Sequence, residues 1–101
     1  MAETDVPLAV YSLYVGSRDG AAFPEADRGA VIDTVSAAFD CFTLVDADGY
    51  FKSRSVATLI IKIATDDSAS VVALVQELGQ LLDQEVVGME NNGTYRSITV
   101  G

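Results

Sequence analysis

Two β-α units of nearly equal length, laid end to end, constrain this chain more than any other feature. Residues 8–15 (LAVYSLYV) carry apolar side chains on both parities and read as a strand covered on two sides. Residues 24–40 read as a helix, with Val31, Ile32, Val35, Ala38 and Phe39 at helical spacing. Pro24 suits a first helical turn, and Glu25 and Asp27 favour the positive end of the helix dipole. Residues 42–51 and 55–65 read as a strand pair, 68–83 as a second helix, and 85–100 as a terminal strand or hairpin. That order is the split-βαβ, or ferredoxin-like, β-α-β-β-α-β plan. The expected fold class is therefore α+β. It has a four- to five-stranded, mostly antiparallel sheet, two helices on one face and an extra C-terminal strand.

Local signals fill in this outline. The run Val56-Ala57-Thr58-Leu59-Ile60-Ile61-Lys62-Ile63 is rich in β-branched residues and is the strongest strand signal. Asp46-Ala47-Asp48-Gly49 reads as a turn, or as a bulge within a long hairpin. Asp67 or Ser68 caps the second helix, whose apolar stripe is Val71, Leu74, Val75, Leu78, Leu81 and Leu82. Asn91-Asn92-Gly93 between two strand-like runs is a hairpin signal. Residues 1–7 are expected to be a flexible N-terminus and residues 8–101 a single domain. Two helices cover one face only, and apolar residues on both parities of the first and third strands leave a second face to hide. A homo-oligomer, with a trimer as the expected form, would cover it.

Composition narrows the setting. Six basic residues stand against 15 acidic ones, a net charge of −9, which repels phosphate backbones and disfavours direct nucleic-acid binding. Such a surface suits solubility, a cationic ligand or a basic protein partner. The acids are scattered, the longest run being Asp66-Asp67, and these two stand as candidate partner-binding residues. The longest apolar stretch, around Leu59–Ala64, is interrupted by Lys62 and is too short to span a bilayer, so no membrane association is expected. Cys41 is the sole cysteine; it reads as a small buried hydrophobe in a reducing, cytoplasmic setting.

The chain has no histidine, which excludes Ser-His and Cys-His nucleophile systems and a Cys/His zinc cluster. Asp46-x-Asp48-Gly49 lacks the twelve-residue spacing and closing Glu of a calcium loop. Neither a metal nor a cofactor is implied. Chemistry must come from carboxylates, Tyr, Ser/Thr, Lys or Arg, or from the substrate itself.

The segment Gly49-Tyr50-Phe51-Lys52-Ser53-Arg54-Ser55 gathers two aromatics and two of the basic residues. Tyr50 could offer a ring face to a cation or a hydroxyl to a ligand, or simply pack across strands. Tyr14, with Tyr11, reads as core or interface, Gln84 and Glu85 as a helix exit, and Glu90 as a solvated strand residue. Each of Tyr14, Tyr50, Gln84, Glu85 and Glu90 is also a candidate ligand contact.

Four short marks, in order and at matching spacing, resemble the phage S-adenosylmethionine lyases and a related group of small bacterial domains. They are Leu13-Tyr14-Val15-Gly16, Asp46-x-x-Gly49-Tyr50-Phe51, the apolar strand opened by Thr58, and Gln84-Glu85-x-Val87. The resemblance spans about residues 8–100. It implies a ferredoxin-like, often trimeric protein with nucleoside sites between subunits, used by phages to remove the methyl donor of restriction systems. One departure stands out: the family places a Glu just before the Ser/Thr of the third strand, where this chain reads Ser55-Val56-Ala57-Thr58. Two functions follow as expectations. One is an oligomeric protein that binds S-adenosylmethionine or a related nucleoside, with or without cleaving it. The other is a non-enzymatic acidic inhibitor of a basic surface on a host restriction or CRISPR complex.

Overall fold

Alternating side chains decide which way each strand faces, and the helices follow the apolar side. The computed structural model describes residues 7–101, in the order β1 (Ala9–Gly16), α1 (Glu25–Ala38), β2 (Thr43–Phe51), β3 (Arg54–Thr65), α2 (Ser68–Leu81), β4 (Val86–Asn91) and β5 (Thr94–Thr99). The expectation for residues 1–7 falls, Pro7 apart, outside the described residues. The sheet runs β2-β3-β1-β4-β5, and every neighbouring pair is antiparallel. The α+β, ferredoxin-like order with its extra strand is thus the observed one. None of the helices among the described residues is long and apolar enough to cross a membrane.

On one side of the sheet Leu13 and Val15 meet Leu59, Ile61, Ile63, Val87 and Met89. The two helices close over this side through Val31, Val35, Val71, Leu74, Val75, Leu78 and Leu82. The α2 stripe behaves as its spacing predicts, with Leu81 partly buried at its edge. The α1 stripe is narrower: Val31 and Val35 are buried, while Ala38, in the last turn, is exposed. Pro24 sits one position earlier than expected, as the cap residue in extended conformation. Asp67 is the cap of α2, accepting from Ser70 N at 3.0 Å and Ser70 Oγ at 2.6 Å.

Two expectations fail. Asp46–Gly49 is neither turn nor bulge; Asp46, Ala47, Asp48 and Gly49 pair in unbroken register with Leu59, Thr58, Ala57 and Val56. A twelve-residue β3 is a long template, and Arg28 on α1 holds Asp46 at 3.1 Å, so continuous pairing overrides local turn chemistry. The actual turn is Lys52-Ser53, with φ of 52° and 66°, the left-handed pair of a two-residue hairpin made without Gly or Asn. Asn92-Gly93, with φ of 54° and 75°, makes the same turn with the expected residues. Cys41 is exposed rather than buried. It lies in the α1–β2 connection, where Phe42 turns to the core instead.

Candidate functional site on the open face of the sheet

The opposite parity of every strand faces away from the helices. Register aligns these residues in rows across all five strands. One row is Thr43–Lys62–Ser12–Glu90–Tyr95, and the next is Val45–Ile60–Tyr14–Gly88–Ser97. The first row is polar, with Lys62 Nζ donating to Ser12 Oγ at 3.3 Å. The second is mostly apolar. Val10, Val45, Phe51, Val86 and Tyr95 are exposed on this side, so no element among the described residues covers it.

Where the rows meet on β1 and β4, the Tyr14 hydroxyl donates to Glu90 Oε1 at 2.9 Å, across 76 residues of sequence. Its ring also meets Tyr95, with centroids 5.9 Å apart and planes tilted by 57°. The bond to Glu90, then burial, then the Glu90 and Tyr95 charges push the Tyr14 hydroxyl above its ordinary pKa. Tyr14 therefore stays a donor, and it fixes the direction in which Glu90 presents its second oxygen.

A cleft of about 270 Å³ opens beside this cluster, lined by aromatic residues Tyr14, Tyr50, Phe51 and Tyr95 over a floor of Gly16, Gly49, Val56 and Thr58. The β2–β3 hairpin borders it, because pairing through Asp46–Gly49 continues the two strands as far as Tyr50 and Phe51. Alternation puts Phe51 on the open side with Gly49, while Tyr50 borders the cleft from the hairpin end and is 73% exposed.

The sequence candidates divide accordingly. Tyr14, Tyr50 and Glu90 come together at or beside the cleft. Gln84 reaches its far end: its Oε1 lies 3.1 Å from where a Cβ on Gly16 would stand, and its Nε2 donates to Ser17 O at 3.2 Å. Ser17 Oγ beside it is buried, with no hydrogen-bond partner among the described residues. Glu85 shares the helix-side parity of Val87 and is exposed, its carbonyl accepting from Val100 N at 2.9 Å. Asp66 is exposed on the far side of the fold from the hairpin, and Asp67 is engaged as the α2 cap. Ala57, where the resemblance drawn from the sequence would lead one to expect a Glu, faces Asp48 across the hairpin. Both lie on the helix-side parity, so among the described strand residues the carboxylate on the open face is Glu90. Tyr95 and Gly88 went unread in the sequence, although the two-residue Asn-Gly turn fixes the Glu90–Tyr95 pairing and could have revealed them.

These features define an antiparallel α+β protein of ferredoxin-like order with an aromatic cleft, and a carboxylate beside it, on the sheet face opposite the helices. No family model and no curated protein matches the sequence. Among solved structures, a phage SAM lyase in complex with S-methyl-5'-thioadenosine superposes with a TM-score of 0.71, at 18% identity, over 99% of this chain and 95% of that one. A phage SAM lyase in the apo state superposes with the same TM-score, at 20% identity, over 99% of this chain and 96% of that one. The chain therefore has the fold of the phage SAM lyases from end to end.

Proposed function

We propose that this chain binds S-adenosylmethionine, or a nucleoside close to it, in the open-face cleft, and that it does so as a self-associated protein. The observation that carries the reading is the Tyr14–Glu90–Tyr95 cluster, set beside an aromatic cleft on the bare face of this fold. A sulfonium has no lone pair to spare for donors and is held by ring faces; its companion ammonium wants a carboxylate. The cleft offers the sulfonium ring faces from Tyr14, Tyr50 and Phe51, and Glu90, beside the cleft, is the carboxylate oriented by Tyr14. A neighbouring copy on the exposed Val10, Val45 and Val86 would close the face and exclude water from the ligand.

Cleavage asks little of such a site. The substrate carboxylate attacks its own γ-carbon, the Cγ–S bond breaks, and its electron pair returns to sulfur as a neutral thioether. The products are homoserine lactone and methylthioadenosine, with no proton or redox partner required. The protein's part is to fold the chain of the substrate into attacking geometry and to strip water from the carboxylate.

Isothermal calorimetry with S-adenosylmethionine, followed by analysis of the same mixture for both products, tests the reading. Heat with products establishes a lyase that works without a Glu at residue 57. Heat without products establishes a binding protein. Absence of heat at millimolar ligand removes the reading and turns attention to a basic protein partner.

A further inference from the structure

The extra strand β5 raises a question that the minimal ferredoxin-like plan does not answer. Tyr95 pairs with Glu90, yet its hydroxyl does not stand above Glu90. The ring leans diagonally across β4, so that a Cβ built on Gly88 would overlap its Oη, Cζ and Cε2. It ends against Tyr14 on the next strand. Only glycine at residue 88 lets the ring lie this low.

We propose that Tyr95 is the base-stacking wall of the cleft, and that Gly88 is the position that lets its ring lie close enough against β4 to serve. This rests on the nucleoside reading given above and adds to it which residue selects the base. Three observations carry it. The ring is held from below by Tyr14 and by the groove at Gly88. The residue nevertheless remains 60% exposed, which leaves ring surface open for a planar group. It also borders the cleft opposite the hairpin aromatics. A pre-positioned phenol with ring surface left open matches a purine, whose π-face stacks on aromatic residues whatever its edge pattern. Glu90, next to it in the same row, then serves the charged end of the ligand. The two ends of the ligand are thus read by neighbouring residues on β4 and β5.

The test uses three probes on the intact chain: S-adenosylmethionine, S-methyl-5'-thioadenosine (base without sulfonium) and S-methylmethionine (sulfonium without base). Calorimetry is run on the wild type, Tyr95→Phe, Tyr95→Leu and Gly88→Ala, with circular dichroism confirming each fold. Tyr95→Leu keeps apolar bulk but has no π-face. We expect it to weaken both adenosine-bearing probes about 10- to 100-fold, to leave S-methylmethionine unchanged, and to be rescued by Tyr95→Phe. Gly88→Ala, which lifts the ring, should follow Tyr95→Leu. Equal binding of the adenosine probes by wild type and Tyr95→Leu overturns the inference while leaving the nucleoside reading intact. Equal losses for all three probes overturn it too, because a purely structural role would not separate base from sulfonium. Failure of the wild type to bind either adenosine probe overturns both.

Discussion

The two faces of this sheet are built from the same five strands and share almost no chemistry. Under the helices, Leu13, Val15, Leu59, Ile61 and Val87 are wholly buried and contribute no polar side chain. On the open side, one residue along each strand, two hydrogen-bonded polar pairs, Lys62–Ser12 and Tyr14–Glu90, stand among exposed apolar neighbours. Strand alternation alone produces the contrast. What it teaches is a division of labour: the covered face supplies the fold's free energy, and the open face, free of that duty, holds polar groups that a core would penalise. Substitutions should therefore act on stability or on function according to parity.

The strongest challenge to that division comes from the covered face. Leu74, fully buried on α2, lies among both helices and the sheet. Leu74→Ala should cost about 3 kcal/mol of stability, seen as a large fall in the calorimetric Tm. Ligand affinity of the fraction still folded should be unchanged. A variant that melts like wild type but loses ligand would break the division outright. On the open face, Val45→Asp should do the reverse. Val45 is 37% exposed, so the isolated fold should keep its dichroism spectrum, while assembly measured by sedimentation velocity should be lost. A wild type that sediments as a monomer at every concentration removes the second copy from the proposed function.

How much of this was legible in the sequence follows the same line. The covered face was readable because its signals are local and periodic: the α2 stripe at helical spacing and the β-branched run of β3 each name their own structure. The Asn-Gly turn is equally self-declaring. The open face was readable in part: its apolar excess and the residues Tyr14, Tyr50 and Glu90 stood out, but the contacts that join them link distant segments. Tyr14 and Glu90 are 76 residues apart, and each alone looks like an ordinary strand residue. The β2–β3 hairpin was misread for a related reason. Asp46-x-Asp48-Gly49 carries turn residues but is held in strand register by β3 and Arg28. The true turn at Lys52-Ser53 adopts left-handed backbone without the residues that normally announce it.

A subtler effect should appear at the hinge between the two chemistries. Tyr14→Phe removes one hydrogen bond, at a cost of about 1 kcal/mol, and frees Glu90 from its direction. The folded Tyr14 pKa is raised above its ordinary value of 10.0, chiefly by the bond to Glu90. The folded state thus holds that proton more tightly than the unfolded chain. The contribution is fully present below the unfolded pKa and is lost as pH rises through the folded one. Wild-type stability should converge on that of Tyr14→Phe in the alkaline range. Difference spectra for tyrosinate should also show Glu90→Gln bringing the Tyr14 ionisation down towards its ordinary value. A Tyr14 titration unmoved by Glu90→Gln would show that the pair does not exist in solution.

The smallest effect is reserved for Asp67, which belongs to neither face. Its carboxylate caps α2 through Ser70 N and Ser70 Oγ, and those two bonds hold its pKa below the usual carboxylate value of 3.8. Because the folded pKa is depressed, the stabilisation is present above the unfolded pKa and lost as pH falls through the folded one. Asp67→Ala should therefore lower the Tm slightly at neutral pH and match wild type in strong acid, with ligand binding untouched at any pH. Asp66→Ala, whose side chain makes no such bond, should leave Tm unchanged. Charge reversal at both positions also separates the two functional expectations. An inhibitor reliant on acidic contacts at this end of the molecule would lose its partner. A nucleoside-binding protein whose cleft lies on the open face would only lose its helix cap.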